Sequence, residues 1–207
     1  MSSRQVRSAA LAAVLIAFSM SAAVGAQRAS SVPAAQSVEQ TIAGWKAKPR
    51  EVAQQMIKKY GAPQEVTANR LIWHNNGPWK FTELVNEEIP HTFPVPHHDM
   101  LYQVIDYRVD PADADEVLTY DGSVVLERTK GELAARCDKE EANFLAINLA
   151  HEVAEGKRSV ADARRFYADS MMQLMKTGKP NEYLQGFRFA VPKGDQGDRD
   201  RPFEPAR

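Results

Sequence analysis

Residues 90–100 read PHTFPVPHHDM and hold three of the chain's five histidines, His91, His97 and His98, with Asp99 beside them. Neutral imidazole is the commonest protein ligand for zinc, copper or nickel. In an extended chain, side chains alternate between faces, so His97 and Asp99 share one face and His98 takes the other. His91 lies six residues before His97 and has the same parity. The spacing therefore predicts a divalent transition-metal site built from His91, His97 and Asp99. His98 is a further imidazole in the same segment, and His74, from a preceding hairpin, is a potential fourth ligand. Pro90, Pro94 and Pro96 would lower the entropy lost when the segment is ordered.

A competing reading makes this segment a stiff connector that crosses and blunts the rim of a sheet. The spacing matches no standard zinc pattern. Polyproline-like backbone repeats every three residues, which would separate His91 from the face of His97.

Other residues with chemical potential are weaker. His151-Glu152-x-x-Glu155 opens like a zincin helix, but Glu155 stands where the second histidine belongs. Met171, Met172 and Met175 are soft donors, yet Met171 and Met175 continue an apolar helical stripe and read as core. Cys137 is the only cysteine and reads as a small buried hydrophobe. A reactive thiol would need an electropositive setting, for which Arg136 and Lys139 are the neighbours. Trp73, Trp79 and Tyr102 are candidates to line a ligand cleft, with core packing as the other outcome. The charged run from Glu127 to Asp138 reads as a salt-bridged sheet face. No G-x-S-x-G, P-loop, G-x-G-x-x-G or C-x-x-C-H motif is present, which disfavours common hydrolases, nucleotide enzymes and c-type cytochromes.

The elements that must position these groups follow from periodicity. Pro49 suits a first helical turn, Val52, Met56 and Tyr60 share a helical face, and Gly61 ends it. RLIWHNNGPWKFTELV predicts a β-hairpin whose loop includes Pro78, because proline has no N–H for a ladder. LYQVIDYRV, SVVLERT and ELAARC read as strands, with a short helix over PADADEVLTYDG. Asp138-x-x-Glu141 predicts a capping box, and Phe144, Leu145, Leu149 and Val153 the apolar face of the helix it starts. Ser159-x-x-Asp162 predicts the next cap, with Gly178 as the stop. The short GKR connection predicts that these two helices form an antiparallel pair. The expected fold is α+β, a single domain with a meandering antiparallel sheet and helices on one face.

The ends and the composition bound location and function. Arg4 and Arg7, an apolar stretch from Ala9 to Ala23, and Val24-Gly25-Ala26 follow the pattern of a cleaved secretory signal peptide over residues 1–26. Residues 27–37 read as a flexible leader, 38–190 as the domain and 191–207 as a disordered tail. Removing two arginines leaves 24 basic against 27 acidic residues, a net charge of −3. That balance argues against nucleic-acid binding and anionic-membrane binding. A single cysteine means no internal disulfide. The expectation is a soluble periplasmic or secreted protein, without stable membrane insertion after cleavage. It would bind a small ligand, a metal ion or an envelope partner. The rivals are a metal-dependent hydrolase with Glu87 or Glu88 as base, and a structural envelope protein.

Overall fold

The computed structural model describes residues 37–203. The expected signal peptide and all of the leader except Ser37 lie outside the described residues. Among the described residues the fold is α+β, with one six-stranded antiparallel sheet and five α-helices. The helices are α1 (Val38–Ala43), α2 (Ala47–Tyr60), α3 (Ala114–Tyr120), α4 (Glu140–Ala154) and α5 (Val160–Thr177). The strands are β1 (Glu65–Thr67), β2 (Arg70–His74), β3 (Phe81–His91), β4 (His97–Asp106), β5 (Val124–Glu127) and β6 (Glu132–Cys137).

The sheet order is β1-β2-β3-β4-β6-β5. The first four strands form the expected meander. The chain then leaves through α3 and returns as the edge strand β5, and β6 folds back between β5 and β4. Burial explains the exchange: Leu133, Ala134 and Ala135 of β6 are almost wholly enclosed, whereas Leu126 and Glu127 of β5 are only partly covered. The turn between them needs Gly131, which has φ +66°. A Cβ there would also lie 1.9 Å from the carbonyl oxygen of Gln196 in the C-terminal segment. That segment, expected to be a disordered tail, has no helix or strand from 191 to 203, but the Asp198 N–H donates to the Thr129 carbonyl.

One face of the sheet carries Leu71, Trp73, Leu84, Leu101, Ile105 and Leu133, all fully buried. Val52, Ala53 and Met56 of α2 cover the β2–β3 end, and α4 covers the β4–β6 end. Residues 142–150 of α4 are all buried, and the two polar ones among them, Asn143 and Asn148, donate to Leu101, Gln103, Tyr183 and Gly186. α5 packs against α3 and α4. Its start matches the expectation, since Ser159 Oγ accepts from the Asp162 N–H, and Gly178 ends it in the left-handed region.

Two expectations need correcting. The Asp138–Glu141 capping box does not form, because the residue at the N-cap is Lys139 and no side chain caps it. Residues 90–100 are not a connector between a hairpin and a strand but the end of β3, a five-residue loop and the start of β4. β3 outruns β2, whose pairing stops at Val85. From there one side of β3 is an edge, where the missing N–H of Pro90 costs no ladder bond.

Candidate metal centre

The register of β3 against β4 builds the site. His91 stands directly opposite His97, and Ile89 opposite Asp99. An irregularity between Leu84 and Ile89 re-aims the end of β3. Alternation along β4 turns His97 and Asp99 inward and leaves His98 exposed. The convergence of His91 with His97 thus comes from cross-strand pairing of extended backbone, not from the rise of a single polyproline segment.

His91, His97 and Asp99 each offer one ligand atom, and these atoms lie within 4.8 Å of one another. His91 Nδ1 is 3.2 Å from Asp99 Oδ2, and His97 Nε2 is 3.0 Å from Asp99 Oδ1. The rings of His91 and His97 lie 5.0 Å apart. The Asp99 side chain is only 5% exposed. Despite these approaches, His91 Nδ1 and Asp99 Oδ1 are buried with no hydrogen-bond partner of good geometry.

The other nitrogen of each ring faces an oxygen acceptor outside the group. His97 Nδ1 donates to the Val95 carbonyl at 2.8 Å. His91 Nε2 lies 3.6 Å from Asp121 Oδ1. Asp121 is fully buried just after α3, and its Oδ1 accepts from the Ser123 N–H and hydroxyl, each at 2.9 Å. Both imidazoles therefore present one nitrogen to Asp99; the other nitrogen of His97 is hydrogen-bonded to Val95, whereas that of His91 faces the Asp121 carboxyl beyond hydrogen-bond distance. Outer groups that fix the ring orientation in this way accompany metal-bound histidines.

Electrostatics follow from burial and proximity. The Asp99 carboxylate, followed by Cys137, pushes His97 up to about 11 against the penalty of burial. Burial raises the Asp121 carboxyl above the ordinary carboxylate range, and the Ser123 hydrogen bonds oppose it. Burial also raises the Cys137 thiol, while His97 pulls it the other way. The hairpin loop is held against α5 by aromatic packing. Phe93 packs on Tyr167 of α5 at 5.1 Å, and the Arg164 guanidinium sits 3.9 Å over the Phe93 ring.

The remaining candidates lie elsewhere. His74 pairs with Phe81, which stands opposite Val104, seven residues along β4 from the His97 that faces His91; at about 3.3 Å per residue this separates the two ends by roughly 23 Å. Its ring contacts Glu65 at 2.5 Å. Trp73 is buried and donates to the Gly61 carbonyl, and Trp79 is buried and donates to Glu140. Tyr102 lies on the opposite face of the sheet beneath the Arg136 guanidinium. These three rings line no common cleft. His151 meets the Tyr107 hydroxyl and stacks on Phe189, while Glu152 pairs with Arg158. Glu88 faces Lys46 at 3.9 Å, and Glu87 is exposed.

Sequence reasoning did not find Asp121 or the approach of Cys137. Asp121 comes from a helix end 22 residues beyond Asp99, and no spacing rule links them. No protein-family model, curated protein or solved structure matches the chain.

Proposed function

We propose that this chain is an exported cell-envelope protein that binds a divalent transition-metal ion at the tip of the β3–β4 hairpin. Zinc is the first choice, with copper and nickel as alternatives that share its preference for imidazole. One observation carries the reading: two imidazole nitrogens and a carboxylate converge on one small space, with His97 held through its other nitrogen by the Val95 carbonyl and His91 facing the Asp121 carboxyl. His91 Nδ1 and Asp99 Oδ1 approach Asp99 Oδ2 and His97 Nε2 at 3.2 and 3.0 Å but form no hydrogen bond of good geometry, which a purely structural ion-pair cluster would be expected to close. Export rests on the N-terminal sequence pattern alone.

Two histidines and an aspartate with room for a further ligand is also a hydrolytic arrangement. The general base such an enzyme needs is not beside the cluster, since Glu88 is engaged by Lys46 and Glu87 points to solvent. Binding is therefore the stronger reading. Equilibrium dialysis of the purified chain against micromolar zinc, copper or nickel, followed by native mass spectrometry, tests it. One ion retained per chain is the expected result. No retained ion for any of the three would remove both the binding and the hydrolytic readings and leave a structural envelope role.

A further inference from the structure

We infer that the ion at this centre takes its remaining donor from outside the chain, and that this donor is the carboxylate of a small monocarboxylic acid whose apolar tail lies in the cleft beside His97. This rests on the metal-binding reading above and adds a ligand class to it. His91, His97 and Asp99 make three ligands, and among the described residues no fourth histidine, cysteine or acidic side chain joins their group. Zinc takes four ligands in a tetrahedron, and a centre with three protein ligands keeps one position for water or an exogenous donor. Carboxylate oxygen is an ordinary zinc ligand. A single carboxylate among the protein ligands leaves positive charge on a divalent ion, which favours an anionic donor over a neutral one.

The cleft gives the rest of that ligand its character. It measures about 190 Å³ and is lined by Val95, Pro96, Tyr167, Met171 and Met175 together with His97 and Cys137. Cys137 Sγ lies 3.6 Å from His97 Nε2, the ring nitrogen that faces Asp99, so the cleft reaches the metal side of the imidazole. The two charged residues of its wall, Asp138 and Lys139, pair with each other at 3.3 Å. What remains for a ligand to touch is mainly apolar. Val95 and Met175 are 42% and 68% exposed, so the apolar lining continues to the surface. Methionine, unbranched and flexible, adapts its shape to what it packs against. A ligand suited to both the ion and the wall carries a carboxylate at one end and a short hydrocarbon chain at the other. A sugar would strand hydroxyls against this wall without hydrogen-bond partners.

Cobalt(II) loaded into the purified chain in place of zinc reports its donors through visible absorption, and acetate and hexanoate are the probes. Isothermal titration of the zinc-loaded chain reads the same affinities. Hexanoate should shift the cobalt bands to a plateau at one molecule per chain. It should bind at least about tenfold more tightly than acetate, since each buried methylene is worth roughly fourfold. Met175→Gln, a change at an exposed position, should retain the metal and narrow that preference. Cobalt bands that neither acid moves, or that both move at equal concentration, overturn the inference and leave the metal reading standing. So does hexanoate that binds the metal-free chain as tightly as the loaded one, or a preference that Met175→Gln leaves unchanged. A chain that takes up no cobalt, zinc, copper or nickel overturns both.

Discussion

Asp121 Oδ1 lies 3.6 Å from the His91 nitrogen that faces away from Asp99, an ion-pair approach placed to orient the ring rather than to bind the ion. Removing an outer partner of this kind typically costs ten- to a hundredfold in metal affinity, roughly 1.4–2.7 kcal/mol. Asp121→Asn should therefore weaken zinc binding by about that factor while keeping one ion per chain, as isothermal titration would show. An unchanged affinity would mean that His91 is oriented by the strand alone. At this scale the sequence was informative where alternation applies. His97 and Asp99 share a face and His98 does not, as two-residue periodicity requires. It was silent on Asp121 and on the nearness of Cys137 to His97, which depend on the end of α3 and on the β4–β6 register.

At the scale of elements, the join between α2, the sheet and α4 depends on Glu140. This buried carboxylate accepts from Tyr60 Oη at 2.5 Å, Trp79 Nε1 at 2.6 Å and Gln103 Nε2 at 3.2 Å, and pairs with Lys59. Removing it leaves buried donors unsatisfied, so Glu140→Ala should lower the unfolding free energy by about 3–5 kcal/mol in urea titrations. A loss below about 1 kcal/mol would show that water or neighbours replace it readily. The sequence pattern assigned the start of α4 to a capping box, whereas the acidic residue at its first position is drawn into the core instead. Helix signals elsewhere, such as Ser159 and Gly178, were legible because they act within a single turn.

The contact of α4 with the C-terminal segment predicts a pH effect of definite sign. Burial, with Lys157 adding to it, holds His151 below its ordinary value of 6.5. The unfolded chain then takes up a proton at a higher pH than the folded chain. The stability this histidine contributes is present above about pH 6.5 and is lost as pH falls through its folded value. Melting of the metal-free chain from about pH 7.5 down to about pH 5 should show a smaller decline in His151→Gln than in the parent. Equal declines would mean that His151 titrates normally.

Across the whole molecule, the hairpin tip is positioned by parts far apart in sequence. β3 and β4 supply His91, His97 and Asp99, the turn after α3 places Asp121 near His91, β6 sets Cys137 beside His97, and α5 packs Tyr167 on the loop. The α+β class was legible because hydrophobic periodicity and Gly or Pro punctuation are local. The order of β5 and β6 and the grouping of the ligands were not, because they are tertiary. His74 illustrates this: it is the right residue type, in a strand hydrogen-bonded to β3, but at the wrong end. The most direct measurement is the zinc affinity, by isothermal titration, of the parent chain beside His97→Ala and His98→Ala, two neighbours on opposite faces of β4. A metal centre at the hairpin tip predicts that His97→Ala loses at least about a hundredfold, or roughly 2.7 kcal/mol, while His98→Ala binds as the parent does. Equal affinity in all three, or equal loss in both variants, would contradict it.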